Sequence, residues 1–146
     1  MAASRGLVVL IVDDDPGDVL LIREVLEAGR YARAVHVAVD GQEAEAFLRR
    51  TGEHAGAPRP DVVLLDLNLP GKSGRQVLAE VKADPELASI PILVLTSSQD
   101  PADVLTAYSL YANAYVKKPT DLDEFTAVVA DIGEFFTRVA ALPAAS

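Results

Sequence analysis

Five short apolar runs rich in β-branched residues recur along the chain, at Leu7 to Val12, Ala34 to Val39, Asp61 to Asp66, Ile92 to Thr96 and Ala114 to Lys117, with helical patterns between them. That alternation implies βαβ units, and βαβ units build a parallel sheet covered by helices. Runs as continuously apolar as Leu7-Val8-Val9-Leu10-Ile11-Val12 and Val62-Val63-Leu64-Leu65 suit strands buried on both faces. In an open sheet of this kind, ligands bind in the crevice outside the carboxyl ends of the strands.

Both of those runs end in carboxylates, Asp13, Asp14 and Asp15 on the first and Asp66 on the other. Two such strands side by side would crowd several like charges into one hollow, which is costly unless a cation or a proton sits among them. Oxygen ligands with no His or Cys nearby suit a hard divalent ion, Mg²⁺ first. The remaining strand ends on the crevice side add Thr96 on the fourth and Lys118 just beyond the fifth. A carboxylate, a hydroxyl, an ammonium and an acidic pair able to hold Mg²⁺ are what phosphoryl transfer to an aspartate requires, because that reaction needs positioning and charge neutralisation above all. Asp66 is the candidate nucleophile, with Lys118 and Thr96 placed to meet the phosphoryl oxygens.

The intervening segments read as helices with definite starts. Asp15 caps a first helix from Pro16, whose stripe Val19, Leu20, Ile22, Val25 and Leu26 ends at Gly29. Asp40 and Gly41 open a second, with Ala44, Phe47 and Leu48 inward, and the Gly- and Pro-containing stretch 51–60 is a surface loop. A third runs from about Gly74 through Val77, Leu78 and Val81, and Asp100-Pro101 opens a fourth bearing Val104, Leu105 and Tyr108. The last begins at Asp121 and keeps a broad apolar face through Phe125, Val128, Val129, Ile132, Phe135, Phe136, Val139 and Leu142. Continued to Leu142 it would extend about 33 Å, whereas a strand of some six residues spans about 20 Å. Its last two turns are therefore expected to overhang the sheet, with Phe135, Phe136, Val139 and Leu142 short of partners within the chain.

With 146 residues, 50% of them apolar and 24% charged, the composition is that of one ordinary soluble domain. The absence of cysteine excludes disulfides, thiolate metal sites and cysteine nucleophiles, and fits a cytoplasmic location. Nothing reads as a signal peptide or a membrane span. The net charge of −9, without a basic stripe, argues against a nucleic-acid partner.

Several residues have plainer readings. Asp15 is a helix cap, Lys117 a surface lysine, and Ser97 and Ser98 are loop hydroxyls. His36 and His54 have no ligand spacing around them and receive no chemical role.

Taken together and in order, Asp13-Asp14, Asp66-Leu67-Asn68-Leu69-Pro70-Gly71 with Gly74, Thr96-Ser97-Ser98 and Tyr115-Val116-Lys117-Lys118-Pro119 resemble the receiver domains of two-component response regulators. The resemblance covers nearly the whole chain. It implies a flavodoxin-like, doubly wound five-stranded parallel sheet in the order 2-1-3-4-5, with an extended C-terminal helix. It implies phosphorylation of Asp66 by a histidine kinase, with Mg²⁺ held by Asp14, Asp66 and the backbone carbonyl of Asn68 and by Asp13 through water. It implies that Lys118, directly before the proline, is the family's lysine and that the Lys118–Pro119 bond is cis. It further implies a coupled switch in which Thr96 moves toward the phosphoryl group and Tyr115 turns inward, while Asn68 and Ser98 resemble positions that set dephosphorylation rate.

Within that family, Val12-Asp13-Asp14-Asp15-Pro16, the approach Pro58 to Pro60, Ala83-Asp84-Pro85-Glu86-Leu87, Tyr111-Ala112-Asn113-Ala114-Tyr115 and the Phe135-Phe136 tail are similar to stand-alone regulators that partner bacterial phytochromes. Some of those dimerise through the tail, which agrees with the overhang. The expected organisation is a disordered lead-in over 1–6, a receiver domain over 7–133, and a helix extension over 134–146 serving as a dimerisation arm. The expected protein is a phosphoacceptor, not an enzyme with turnover beyond its own phosphorylation and dephosphorylation. Two other classes compete: a pseudo-receiver that works without phosphorylation, and an aspartyl-phosphate phosphatase. The second is weakened by Asn68, since such hydrolases use an acid/base Asp two residues after the nucleophile.

Overall fold

The computed structural model describes residues 6–143, so residues 1–5 of the lead-in and 144–146 of the tail lie outside the described residues. The five strands are β1 (Leu7–Val12), β2 (Ala32–Ala38), β3 (Val62–Leu65), β4 (Ile92–Thr96) and β5 (Ala114–Lys117). All pair in parallel, in the order β2-β1-β3-β4-β5. Strand alternation sorts the core onto two faces. Leu10, Val12, Val63, Leu65, Ile92 and Val94 pack with Phe47, Leu48, Val77, Leu78 and Val81 on one side. Val9, Ile11, Val62, Leu64, Leu93 and Leu95 pack with Ile22, Leu26, Phe125, Val129 and Ile132 on the other. Each fully buried side chain of this size contributes roughly 1.5–3 kcal/mol relative to exposure.

The helices are α1 (Pro16–Ala28), α2 (Gly41–Arg49), α3 (Gly74–Ala83), α4 (Pro101–Ser109) and α5 (Leu122–Glu134), with a short 3₁₀ turn at Gly52–His54. Every α-helix starts beyond the carboxyl end of a strand, and each start is fixed by a side chain accepting a backbone N–H. Asp15, Asp40, Asp100 and Asp121 cap α1, α2, α4 and α5, while Ser73 and Gln76 form a reciprocal capping box on α3. The turns around the crevice are thereby tied down locally.

Some boundaries differ from expectation. Asp61 stands just outside β3; its N–H donates to the Val8 carbonyl and its carboxylate accepts the Val8 N–H, each at 2.7 Å. Gly6, counted with the lead-in, is half-buried at the head of β1 with φ +78°, where a Cβ would meet Arg33 N at 2.9 Å. The Lys118–Pro119 bond is trans, as are all peptide bonds among the described residues, so the expected cis bond is corrected. Here the Lys118 N–H prolongs the β4–β5 ladder by donating to the Thr96 carbonyl at 2.7 Å.

The extended C-terminal helix is present, and its end corrects the expected overhang. From Phe135 to Val139 the helix widens into a π turn, and Ala140 adopts an extended conformation instead of a further turn. Within the turn Phe136 is only 7% exposed, and beyond it Ala140 and Leu142 pack on the α1–α5 side of the core. Phe136 and Leu142 thus have partners within the chain, while Phe135 (49%) and Val139 (72%) remain exposed.

Candidate functional site

Among the described residues the buried polar side chains are Asp13, Asp66, Thr96 and Lys118, and all four meet in the crevice. Each is placed by a strand: Asp13 follows β1, Asp66 follows β3, Thr96 ends β4 and Lys118 follows β5. Because β1 and β3 are neighbours in register, with Val12 opposite Leu65, the two aspartates that follow them emerge side by side.

The Lys118 ammonium lies at the centre. It donates to Asp13 Oδ2 at 2.7 Å, to Asp66 Oδ2 at 2.8 Å and to Asp18 Oδ2 at 2.9 Å, which uses all three of its N–H groups. Asp66 Oδ1 accepts the Thr96 hydroxyl at 2.8 Å and the Asn68 N–H at 2.9 Å. Asp13 Oδ1 accepts the Asp15 N–H at 2.9 Å. Burial raises the Asp13 carboxyl above its ordinary value, against the pull of the bonds from Lys118 and the Asp15 N–H. Burial also works against the Lys118 ammonium, but its bonds to Asp13, Asp18 and Asp66 outweigh that and hold its pKa above the ordinary lysine value.

Asp14 and Asn68 sit exposed at the rim. Among the described residues no three Asp, Glu or His side chains form a ready cage for a metal ion, since the buried carboxylates converge on Lys118. The donors nevertheless fit a hard divalent cation: they are all oxygens, two are buried carboxylates, and Asp14 offers a third from the open side.

Tyr115 does not touch Asp66. Its hydroxyl donates to the Ser98 carbonyl at 2.7 Å, which ties it to the loop that follows Thr96. The Ser98 hydroxyl donates to Asp103 Oδ2 at 2.6 Å, and Asp103 pairs through its other oxygen with Arg75, the second residue of α3. Asp103 of α4 therefore links the loop that follows Thr96 to the start of α3. His36 and His54 stand against the Phe47 ring, with centroids 5.1 and 5.5 Å away.

Sequence reasoning missed Asp18, Asp103 and Arg75. An acid in the first turn of a helix ordinarily reads as a partner of the helix dipole, and Asp18 and Asp103 both have that position.

Comparison with known proteins bears on the family and the fold. The family model of the response regulator receiver domain matches residues 9–130. Response regulator Rcp1 of Synechocystis sp. is 42% identical over 138 residues, covering 94% of this chain and 94% of Rcp1. The crystal structure of Rcp1 in its Mn²⁺-bound form superposes with a TM-score of 0.91 at 41% identity, over 94% of this chain and 99% of that one. That of the phosphorylated cyanobacterial phytochrome response regulator RcpA gives 0.92 at 42% identity, over 95% and 99%.

Proposed function

The chain belongs to the response regulator receiver domain family, and from that premise we propose that it accepts a phosphoryl group on Asp66 from a histidine kinase and thereby switches its contacts with another protein. The observation that carries this reading is the buried carboxylate of Asp66 with one oxygen on Lys118 and the other on Thr96. A carboxylate oxygen of Asp66 attacks phosphorus, the bond to the donor's leaving group breaks, and an acyl phosphate forms. Lys118 and Thr96 already donate to Asp66, so a phosphoryl group attached there comes within reach of both. Asp13, Asp14, Asp66 and the carbonyl of Asn68 are the groups that would hold Mg²⁺, which supplies neutralisation of the charge on the transferring phosphoryl group. The similarity to Rcp1 and RcpA supports divalent-ion binding and phosphorylation, and favours a bacterial phytochrome as the kinase.

Thr96 and Tyr115 carry the switch. Phosphorylation draws the Thr96 hydroxyl onto the new oxygens, and the loop that follows carries Ser98, the acceptor of the Tyr115 hydroxyl. The output is contact with protein, and Asn68 in place of an acid/base aspartate leaves no machinery for hydrolysing added esters. A second copy of the chain docks on the tail, where Val139 is exposed and half-exposed Phe135 lines an open apolar groove of about 550 Å³ with Leu93, Val116, Val128 and Leu142. A cytoplasmic location follows from the kinase partner, and no helix among the described residues is long and apolar enough to cross a membrane.

The test is incubation with Mg²⁺ and acetyl phosphate, followed by the mass of the intact protein. The expected result is one phosphoryl adduct, absent from Asp66→Asn. No adduct on the wild-type protein would instead make it a phosphorylation-independent interaction module, and turnover of many phosphate esters per chain would make it a phosphatase.

A further inference from the structure

We propose that Asp18 is a positioning residue: its carboxylate retains the Lys118 ammonium in the crevice when a divalent cation draws on Asp13 and Asp66. The inference rests on the metal reading given above.

Lys118 has three hydrogen-bond donors, and each is taken by a different carboxylate, at 2.7 Å for Asp13, 2.8 Å for Asp66 and 2.9 Å for Asp18. Asp13 and Asp66 are also groups that would serve Mg²⁺. A divalent ion entering the hollow polarises those two carboxylates toward itself and repels the ammonium. Either Lys118 withdraws, which deprives the phosphoryl group of its cation, or a carboxylate with no part in metal binding keeps it in place.

Asp18 is that carboxylate. It comes from α1 and not from a strand end, and its side chain is 27% exposed against 5% for Lys118, so it reaches the ammonium from the solvent side. Its backbone is held by the neighbouring acidic run, since the Asp15 side chain accepts the Asp18 N–H at 3.2 Å. Asp15, a helix cap by itself, thus helps to aim Asp18. The cluster accordingly separates into carboxylates shared between metal and lysine and one that serves the lysine alone.

Calorimetric titration of the unphosphorylated protein with Mg²⁺ tests this without any turnover. Asp18→Asn should weaken Mg²⁺ binding on the order of fivefold, the worth of about one ordinary hydrogen bond since the Asp18 carboxylate is partly exposed, and Asp18→Glu should restore most of it. In a Lys118→Met background the same Asp18→Asn change should have less than about a twofold effect, because its route to the metal is gone. Equal effects in both backgrounds would mean that Asp18 acts on the metal through space, and unchanged affinity of Asp18→Asn would mean that it does nothing; either overturns the proposal. A readout independent of the Lys118 variant is the Lys118 ¹⁵Nζ resonance in Mg²⁺-loaded protein. It should persist in wild type and be lost to exchange with water in Asp18→Asn, and its persistence in both again counts against the role. Wild-type protein that takes up no Mg²⁺ at millimolar concentration would sink the metal reading itself, a result distinct from binding that ignores Asp18.

Discussion

Thr96 donates its hydroxyl to Oδ1 of Asp66 at 2.8 Å, and both side chains are buried. Thr96→Val keeps the shape and removes the donor, leaving that oxygen with the Asn68 N–H alone. A buried hydrogen bond to a charged group is worth about 1.5–3 kcal/mol, so urea unfolding should show a loss of that order. The phosphoryl adduct should still form, but the Tyr115 ring resonances should no longer shift on phosphorylation. An unaltered Tyr115 response would separate Thr96 from the switch.

Gly74, the first residue of α3, marks the tightest approach to the phosphoacceptor. A Cβ there would lie 2.2 Å from the Asp66 carbonyl oxygen and 2.6 Å from Leu67 Cα. Gly74→Ala must therefore push α3 away from the end of β3, costing about 1–3 kcal/mol and slowing phosphorylation by roughly ten- to a hundredfold through misplacement of Asp66. Gly71→Ala is the control. Its Cβ would meet nothing within 4 Å, and only its φ of +67° resists a side chain, so its cost should be about 1 kcal/mol with little effect on rate.

The two tail phenylalanines should separate stability from association. Phe136 is 7% exposed and belongs to the core, so Phe136→Ala should cost about 3 kcal/mol. Val139 is exposed and Phe135 half-exposed with its ring edge-on to Phe136 at 5.1 Å, so their joint replacement by Ser should cost the monomer less than Phe136→Ala while weakening the dimer. Light scattering on both variants checks this. A wild-type protein that is monomeric at every concentration ends the dimer reading.

Asp103 offers a test by pH. The Ser98 hydroxyl and then the Arg75 guanidinium hold its carboxyl below the usual 3.8, so Ser98→Ala and Arg75→Ala should each raise it, as read from its side-chain ¹³C shift. The sign of the linkage follows. A carboxyl with a depressed folded pKa stabilises the fold above its unfolded value, and that stabilisation is lost as pH falls through the folded value. Both variants should therefore lose less stability than wild type as pH falls below the ordinary carboxylate value. Salt should reduce the Arg75 effect more than the Ser98 effect, because the ion pair is partly exposed.

Much of this molecule was legible in its local chemistry. Strand identity lay in runs such as Leu7 to Val12, and helix starts in Asp15, Asp40, Asp100 and Asp121, because periodicity and capping act between residues a few positions apart. The meeting of Asp13, Asp66, Thr96 and Lys118 could be expected as well, since parallel strands all end on one side of the sheet. The Ser73 capping box escaped notice beside the more conspicuous glycines, though its signal was local.

What the sequence by itself determined is the sheet, its helices and which strand ends carry the reactive groups. Tertiary structure alone decided that Asp18 binds Lys118 across 100 residues, that Asp103 bridges Ser98 to Arg75, that Phe136 turns into the core while Phe135 stays half-exposed, and that the helical tail ends at Ala140. The physical reason is that an acid in a first helical turn or an apolar residue on a last one has several partners of nearly equal worth. Which of them it meets depends on the packing of elements far apart in the chain.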